Sequence, residues 1–305
     1  KALEANTTGN SLLAVGYNAL MTCTTVSNLT AIGFEAGKAN TTGTSLTALG
    51  YKALTANTTG GNNTAIGRDA MLANTEGTNN TAVGANCLEA NTTATHNTAI
   101  GSDALKSNTT GTFNVAVGAL TLDANTTANS NTGVGYAVLT SNETGAGNTA
   151  VGRDTLAANT TGSSNVAVGH NALDSNTTAD NNTAVGTDAL AANTTGDKCT
   201  AVGGNAAESN TTGVQNTCFG HSAGKTMTTG DSNTFIGYLS GGVGTVTGDT
   251  NTALGISAGK NLTSGSNNLL LGKDAGLSGS PGGPIDTESN EIVLGDENIT
   301  AAHIQ

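Results

Sequence analysis

Asn148-Thr-Ala-Val-Gly-Arg-Asp-Thr-Leu-Ala-Ala-Asn-Thr-Thr-Gly-Ser-Ser164 decides the fold, because Asn182-Thr-Ala-Val-Gly-Thr-Asp-Ala-Leu-Ala-Ala-Asn-Thr-Thr-Gly-Asp-Lys198 repeats it almost letter for letter. Outward from this pair, a Gly preceded by an apolar residue recurs from Gly16 to Gly237 in thirteen consecutive steps of 17 residues. The step then becomes 18 to Gly255, 17 to Gly272 and 23 to Gly295, the last interval absorbing 277–290 with both prolines. Self-similarity at a fixed period is the signature of a repeat architecture. Two regions are therefore expected: regular coils over 1–237, and irregular coils over 238–305 with longer loops at 241–249 and 277–290. Because Ala2, Leu3 and Asn6 already fall in repeat columns, the segment is expected to be a length cut from a longer fibrous protein or a mature form whose ends were removed.

Composition narrows the function classes. Thr, Gly and Asn supply 136 of the 305 residues, charged residues only 10% and aromatics 3%. An enzyme needs a clustered, non-repeating set of titratable groups, and none is visible. The formal net charge of −12 offers no footprint for a phosphate backbone, so nucleic acid is not an expected partner. No run of apolar residues is long enough to span a bilayer, so membrane insertion is not expected.

Seventeen residues are too few for the paired helices of common helical repeats, and Gly, Asn and Thr oppose helix. The short apolar segments Thr-Ala-Val and x-Ala-Leu read as two brief strands per unit, and Asn-Thr-Thr-Gly as a turn. One unit is then one coil of a parallel β-solenoid or β-roll. Seventeen such coils at about 4.8 Å make a rod on the order of 80 Å long.

The columns assign faces. The position before the Gly is always large and apolar (Val15, Ile32, Ile66, Val83, Ile100, Val151, Val168, Val185 and Val202 among them) and is expected to be the buried structural core. A second bulky column, Leu54, Met71, Leu88 through Leu190, lies four after the Gly. The Ala two before the Gly should lie on the opposite, smooth face. Two bulky residues per coil make a thin core, so side-by-side association of three chains is expected to add burial. The column just after the Gly varies freely and is expected to be exposed; Tyr17, Phe34, Tyr51, Tyr136, His170, His221 and Tyr238 there form a candidate receptor-contact column.

These residues carry a likeness. The unit N-T-A-V-G-x-x-A-L-x-x-N-T-T-G resembles the repeats of bacteriophage tail fibre proteins that end in a self-cleaving chaperone of the endosialidase type. The segment from Asn290 to Gln305 resembles the stretch just before that chaperone. The N-T-A-V-G core is also similar to the head repeats of trimeric autotransporter adhesins. The resemblance implies left-handed coils in a homotrimeric fibre. It further implies attachment to other tail or fibre proteins, contact with a host-surface glycan or protein receptor, and a place on the virion tail. The alternative it implies is a trimeric adhesin head on a bacterial surface. A third reading, from the residues, is an ice-binding solenoid with Thr columns, although Val115 and Val166 interrupt one of them.

Other motifs read as repeat variants. Gly220-His-Ser-Ala-Gly-Lys-Thr226 has three residues between its glycines where a phosphate-binding loop has four, and Gly255-Ile-Ser-Ala-Gly-Lys260 repeats it in the same columns. Asp69, Asp103, Asp154, Asp188 and Asp274 occupy turns two after the Gly rather than a cation ladder. The four cysteines stand in unrelated columns and read as free thiols, and the Asn-Thr-Thr sites read as turns rather than glycosylation acceptors. No catalytic residue, metal site or cofactor is expected.

Overall fold

The computed structural model describes residues 1–280, 283–296 and 298, which carry strands and turns and no helix. The chain divides into two compact units, residues 1–151 and residues 152 onward. The first holds β1 (Leu12–Val15) to β9 (Thr149–Val151), the second β10 (Val166–Val168) to β17 (Ile292–Leu294). Within each unit consecutive strands pair in parallel, one per coil, so each unit is a parallel β-solenoid. In β4 (Thr64–Ile66) and β5 (Thr81–Val83), Thr64 lies on Thr81, Ala65 on Ala82 and Ile66 on Val83. The 17-residue register persists to β14 (Thr234–Ile236), where the extra residue before β15 (Thr252–Leu254) lengthens the step so that Phe235 lies on Ala253. From β16 (Leu269–Leu271) to β17 the step of 23 puts Leu270 on Val293.

The x-Ala-Leu segment is not the second strand that its composition suggests. Its residues alternate in backbone hand: Lys52 has φ 56° and Leu54 φ 52°, both left-handed. This alternation turns successive N–H groups in different directions. Leu54 N–H donates to Ala70 O of the next coil (3.0 Å) and Thr55 N–H to Lys52 O of its own (3.2 Å). Ala56 N–H again donates to the next coil, at Leu72 O (3.2 Å), and Asn57 N–H to Leu54 O (3.2 Å). The segment bends and stacks at once, which an extended strand cannot do.

The two faces of the strand are the reverse of the expectation. The Ala column is buried, with Ala65, Ala82, Ala99, Ala150 and Ala184 at 0% exposure, and the large column faces outward. Val15, Ile100, Val151 and Val168 are exposed, while Ile32, Ile66, Val83, Val185 and Val202 are half-buried. The reason is room. Leu54, Met71, Leu88, Leu105 and Leu122, all fully buried, fill the coil interior from the opposite wall and leave space for a methyl group only. Gly133, which replaces this Ala, has less room still: a Cβ there would come within 2.6 Å of Thr121 Cγ2, Thr121 standing where most coils have Ala. Where the inner column enlarges to Phe235, the facing Leu becomes Gly224, and a Cβ at Gly241 would overlap the Phe235 ring. The glycines of the two loop-like motifs thus conserve core volume, Gly259 doing the same for Leu270.

The rest of the interior is amide. In the first unit a buried ladder runs through the turn Asn of Asn-Thr-Thr and, at Asn74, of Asn-Thr-Glu: Asn57 Nδ2 donates to Asn40 Oδ1 (2.9 Å), Asn74 to Asn57 (2.7 Å) and Asn91 to Asn74 (2.7 Å). A second ladder uses the Asn before each strand, whose Oδ1 accepts the next coil's backbone N–H, as Asn63 does from Asn80 (3.0 Å). Both ladders meet on one carbonyl per coil: Gly77 O accepts from Asn63 Nδ2 (2.7 Å) and Asn74 Nδ2 (3.1 Å). Buried amides are tolerated because they are paired.

Candidate functional site

With Leu, Ala and Asn inside, what the molecule offers a partner is its outward columns. Each strand presents two of them, a Thr column and the large apolar column. Neither contains a charged residue in any of the seventeen coils. Beside them runs the column after the Gly, and the structure places Tyr17, Phe34, Tyr51, Tyr136, His221 and Tyr238 on the surface there, with His170 half-buried.

That column brings some of its residues together. Tyr17, Phe34 and Tyr51 form a stack, with ring centroids 5.4 and 5.3 Å apart and planes within 16° and 13° of parallel. Lys52 Nζ lies 5.4 Å over the Tyr51 ring. The rings turn their faces on one another, so this triplet offers a ligand ring edges and two hydroxyls. His221 stacks on Tyr238 at 5.8 Å, and His170 Nε2 lies 2.6 Å from an Arg153 guanidinium nitrogen. An exposed stack outside the expected column places Phe113 on His96 at 5.0 Å. The signal was there: the position just before the strand-leading Asn varies as freely as the one after the Gly.

The acidic column is explained by backbone conformation. Asp69, Asp103, Asp154, Asp188 and Asp274 all have φ between 54° and 59°, the left-handed region in which Asp and Asn are favoured. Their carboxylates are locally satisfied: Asp103 accepts from Asn86 Nδ2 (2.9 Å) and faces Lys106 (3.2 Å), and Asp188 accepts from Asn171 (3.0 Å). The Asn86 hydrogen bond holds Asp103 below the ordinary carboxylate range. Asp123 and Asp174 are raised instead, chiefly by burial. Among the described residues no three His, Cys, Asp or Glu side chains are grouped so as to hold a metal ion.

All four cysteines are free and buried, and burial pushes the Cys87 thiol up to about 11. The Asn of Asn-Thr-Thr has no exposure at Asn57, Asn91 or Asn108, so these amides are spent inside the coil. In the irregular loops, Val246 and Ile285 are buried and continue the interior; Pro281 and Gly282 lie outside the described residues. A cleft of about 300 Å³ beside the second loop is lined by Lys273, Asp274, Leu277 and Asp296, with Lys273 paired to Asp274 at 3.0 Å. Among the described residues, no helix is long and apolar enough to cross a membrane. In comparisons with known proteins, no family profile and no curated protein matches the chain.

Proposed function

We propose that this chain is a shaft segment of a bacteriophage tail fibre, working as a homotrimer on the virion tail and contributing to host-cell attachment. The observation that supports this reading is the repetition itself. Coils of constant length from Gly16 to Gly237, tied to one another by backbone bonds and, along most of the run, by two buried amide ladders, make a stiff element whose value is length and resistance to proteolysis. Its action is mechanical and multivalent rather than catalytic. Other fibre or tail proteins join it end to end, and the exposed aromatic column is where a host glycan or protein receptor would touch it. The test is the native mass of the purified protein by light scattering. Three times 29.7 kDa is expected; a stable single chain would overturn the reading.

The same physics would serve a trimeric adhesin head on a bacterial surface. Antibodies raised against the chain separate the two, labelling virion tails in the first case and cells in the second. An ice-binding solenoid is favoured by one feature, the outward Thr column of Thr30, Thr47, Thr64, Thr81 and Thr98 on a regular sheet. Thermal hysteresis in a solution of the protein would establish it; its absence would remove it.

A further inference from the structure

We infer that the cleft between the turns that follow Gly272 and Gly295 is a binding site for a single saccharide ring. The inference rests on the attachment reading for where such a sugar would come from, and on the structure for the site and its ligand class.

The cleft exists because the stack opens there. From Gly16 to Gly255 the turn glycine of each coil holds φ between 128° and 142°, and a Cβ on Gly255 would lie 2.5 Å from the Gly272 carbonyl oxygen. Gly272 has φ 107° and Gly295 φ 75°, and the nearest atom to a Cβ on Gly272 is Gly295 Cα at 3.1 Å. The closing bond changes too. Ala275, third after Gly272, donates its N–H to that glycine's carbonyl (3.4 Å), whereas Asn298, third after Gly295, donates its N–H to Asp296 Oδ1 (2.9 Å). The two turns part, and about 300 Å³ lies between them. The wall contributed by the 23-residue step is held in place: Ser280 Oγ accepts from Gly276 N–H (2.8 Å) and Leu277 N–H (3.2 Å) and donates to Asp274 O (3.0 Å), and buried Ile285 donates to Gly276 O (2.9 Å). A wall fixed before binding costs little ordering entropy.

The lining selects the ligand. Lys273 Nζ pairs with Asp274 at 3.0 Å and is attracted by Asp296, which accepts from Asn298 N–H and from Asn298 Nδ2 (3.1 Å). The Asp274 hydrogen bond holds Lys273 above the ordinary lysine range and the Asn298 N–H holds Asp296 below the ordinary carboxylate range, so both are charged at neutral pH. Among the described residues only Asp274 pairs with the Lys273 ammonium, which has three N–H donors, and each carboxylate has acceptor sites to spare. Half-buried Leu277 adds hydrocarbon to this ring of donors and acceptors. A sugar hydroxyl donates and accepts at once and its ring carries C–H patches, which is the match this lining asks for. Two carboxylates against one ammonium, on a chain of net charge −12, disfavour an anion, and the ammonium disfavours a metal ion. The volume stands at the lower end of ligand pockets, room for one ring rather than a chain. Lys273 and Asp296 each follow their Gly, in the same column as exposed Tyr238 and Ile256, so the remainder of a longer glycan has surface to lie along.

The test is saturation-transfer difference NMR on the whole chain with D-glucose, D-galactose, D-mannose and N-acetyl-D-glucosamine, each added alone. Transfer to at least one of the four is expected, with binding weakened about tenfold or more in Asp296→Asn and in Lys273→Met, both verified as folded by circular dichroism, and unchanged in Tyr51→Ala. Transfer to none of the four, or transfer that neither D296N nor K273M weakens, would overturn the site. Weakening confined to Y51A would place the sugar on the aromatic column, overturning the site and leaving the attachment reading standing. The native mass decides the fibre reading separately: a single-chain mass with D296N-sensitive transfer would remove the fibre and keep the site.

Discussion

Asn74→Ala tests the amide interior most directly. The side chain donates to Asn57 Oδ1 (2.7 Å) and Gly77 O (3.1 Å) and accepts from Asn91 Nδ2 (2.7 Å). Removal deletes three hydrogen bonds, about 1 kcal/mol each net. Two partners survive: Gly77 O still accepts from Asn63 Nδ2 (2.7 Å) and Asn91 Nδ2 still reaches Ala94 O (3.3 Å). Asn57 Oδ1 is left without a donor in a fully buried position, adding about 1–3 kcal/mol. The expected loss is about 4–6 kcal/mol, limited by the energy needed to open neighbouring coils locally, because a solenoid can come apart at one place. Native-state hydrogen exchange therefore reads it better than a single melting point. Protection of the inter-coil amides of Thr58 and Thr75 should fall about a thousandfold or more. Thr64→Ala on the outward face, the control, should change little. Asn74→Ala/Asn91→Ala should cost about 2–4 kcal/mol less than the sum of the singles, since their shared bond is lost once and the Asn74 Oδ1 that Asn91→Ala alone would orphan is gone. A loss below about 1 kcal/mol for Asn74→Ala, or parity with Thr64→Ala, would refute the claim that the ladder stabilises the stack.

Further outcomes follow from the breaks and tight places of the same framework. Cys23 interrupts the Asn ladder and leaves Asn6 Oδ1 without a partner; Cys23→Asn should stabilise by about 1–2 kcal/mol, seen as a rise of a few degrees in the thermal midpoint. Gly67 has φ 140° and lies against the Gly84 carbonyl, so Gly67→Ala should cost at least about 3 kcal/mol, visible as a lower urea midpoint. Burial raises the Asp123 carboxyl above its unfolded value, so the folded state takes up this proton first and the destabilisation Asp123 contributes at neutral pH is relieved as pH falls through the carboxylate range. Asp123→Asn should therefore be the more stable protein at pH 7, with an advantage that shrinks as denaturation is repeated towards pH 4. The four buried thiols should ignore a chromogenic disulfide reagent at pH 8 and all react in urea; one fast native thiol would contradict their placement.

How far the fold could be read ahead of the structure depended on the kind of signal. The 17-residue period requires nothing but counting, and it yields the parallel register of Thr64, Ala65 and Ile66 on Thr81, Ala82 and Val83. The Leu54 to Leu190 column was legible because its residues are both bulky and bounded by turn formers, and all are buried. The strand faces were not. A period of two says that Ala65 and Ile66 point oppositely, but which side is inside depends on the width of the coil, and that is set by Leu from another segment. The left-handed Leu54 was also illegible, since a γ-branched residue at positive φ runs against propensity. Of the candidate site, free variation identified the exposed Tyr17 to Tyr238 column; the apolar stripe was hidden by the assumption that large hydrocarbon belongs inside.

The left-handed residues say why this molecule is a stack and not a set of coils. The coil from Gly50 to Ile66 holds Lys52, Leu54 and Asn62 at φ between 52° and 57°. At roughly 1–2 kcal/mol per non-Gly residue, one coil alone carries about 3–6 kcal/mol of backbone strain. Bonds within the coil, Thr55 N–H to Lys52 O and Asn57 N–H to Leu54 O (3.2 Å each), return only part of it. The compensating bonds run to neighbours: Lys52 N–H to Phe34 O (2.8 Å) below, and Leu54 N–H to Ala70 O (3.0 Å) above. Strain is local and its relief is shared, so coils are stable only between coils. To bend or shear the stack is to break those same bonds in rows. The property proposed as the function, a shaft that transmits force without yielding, is then the one that folding already demands.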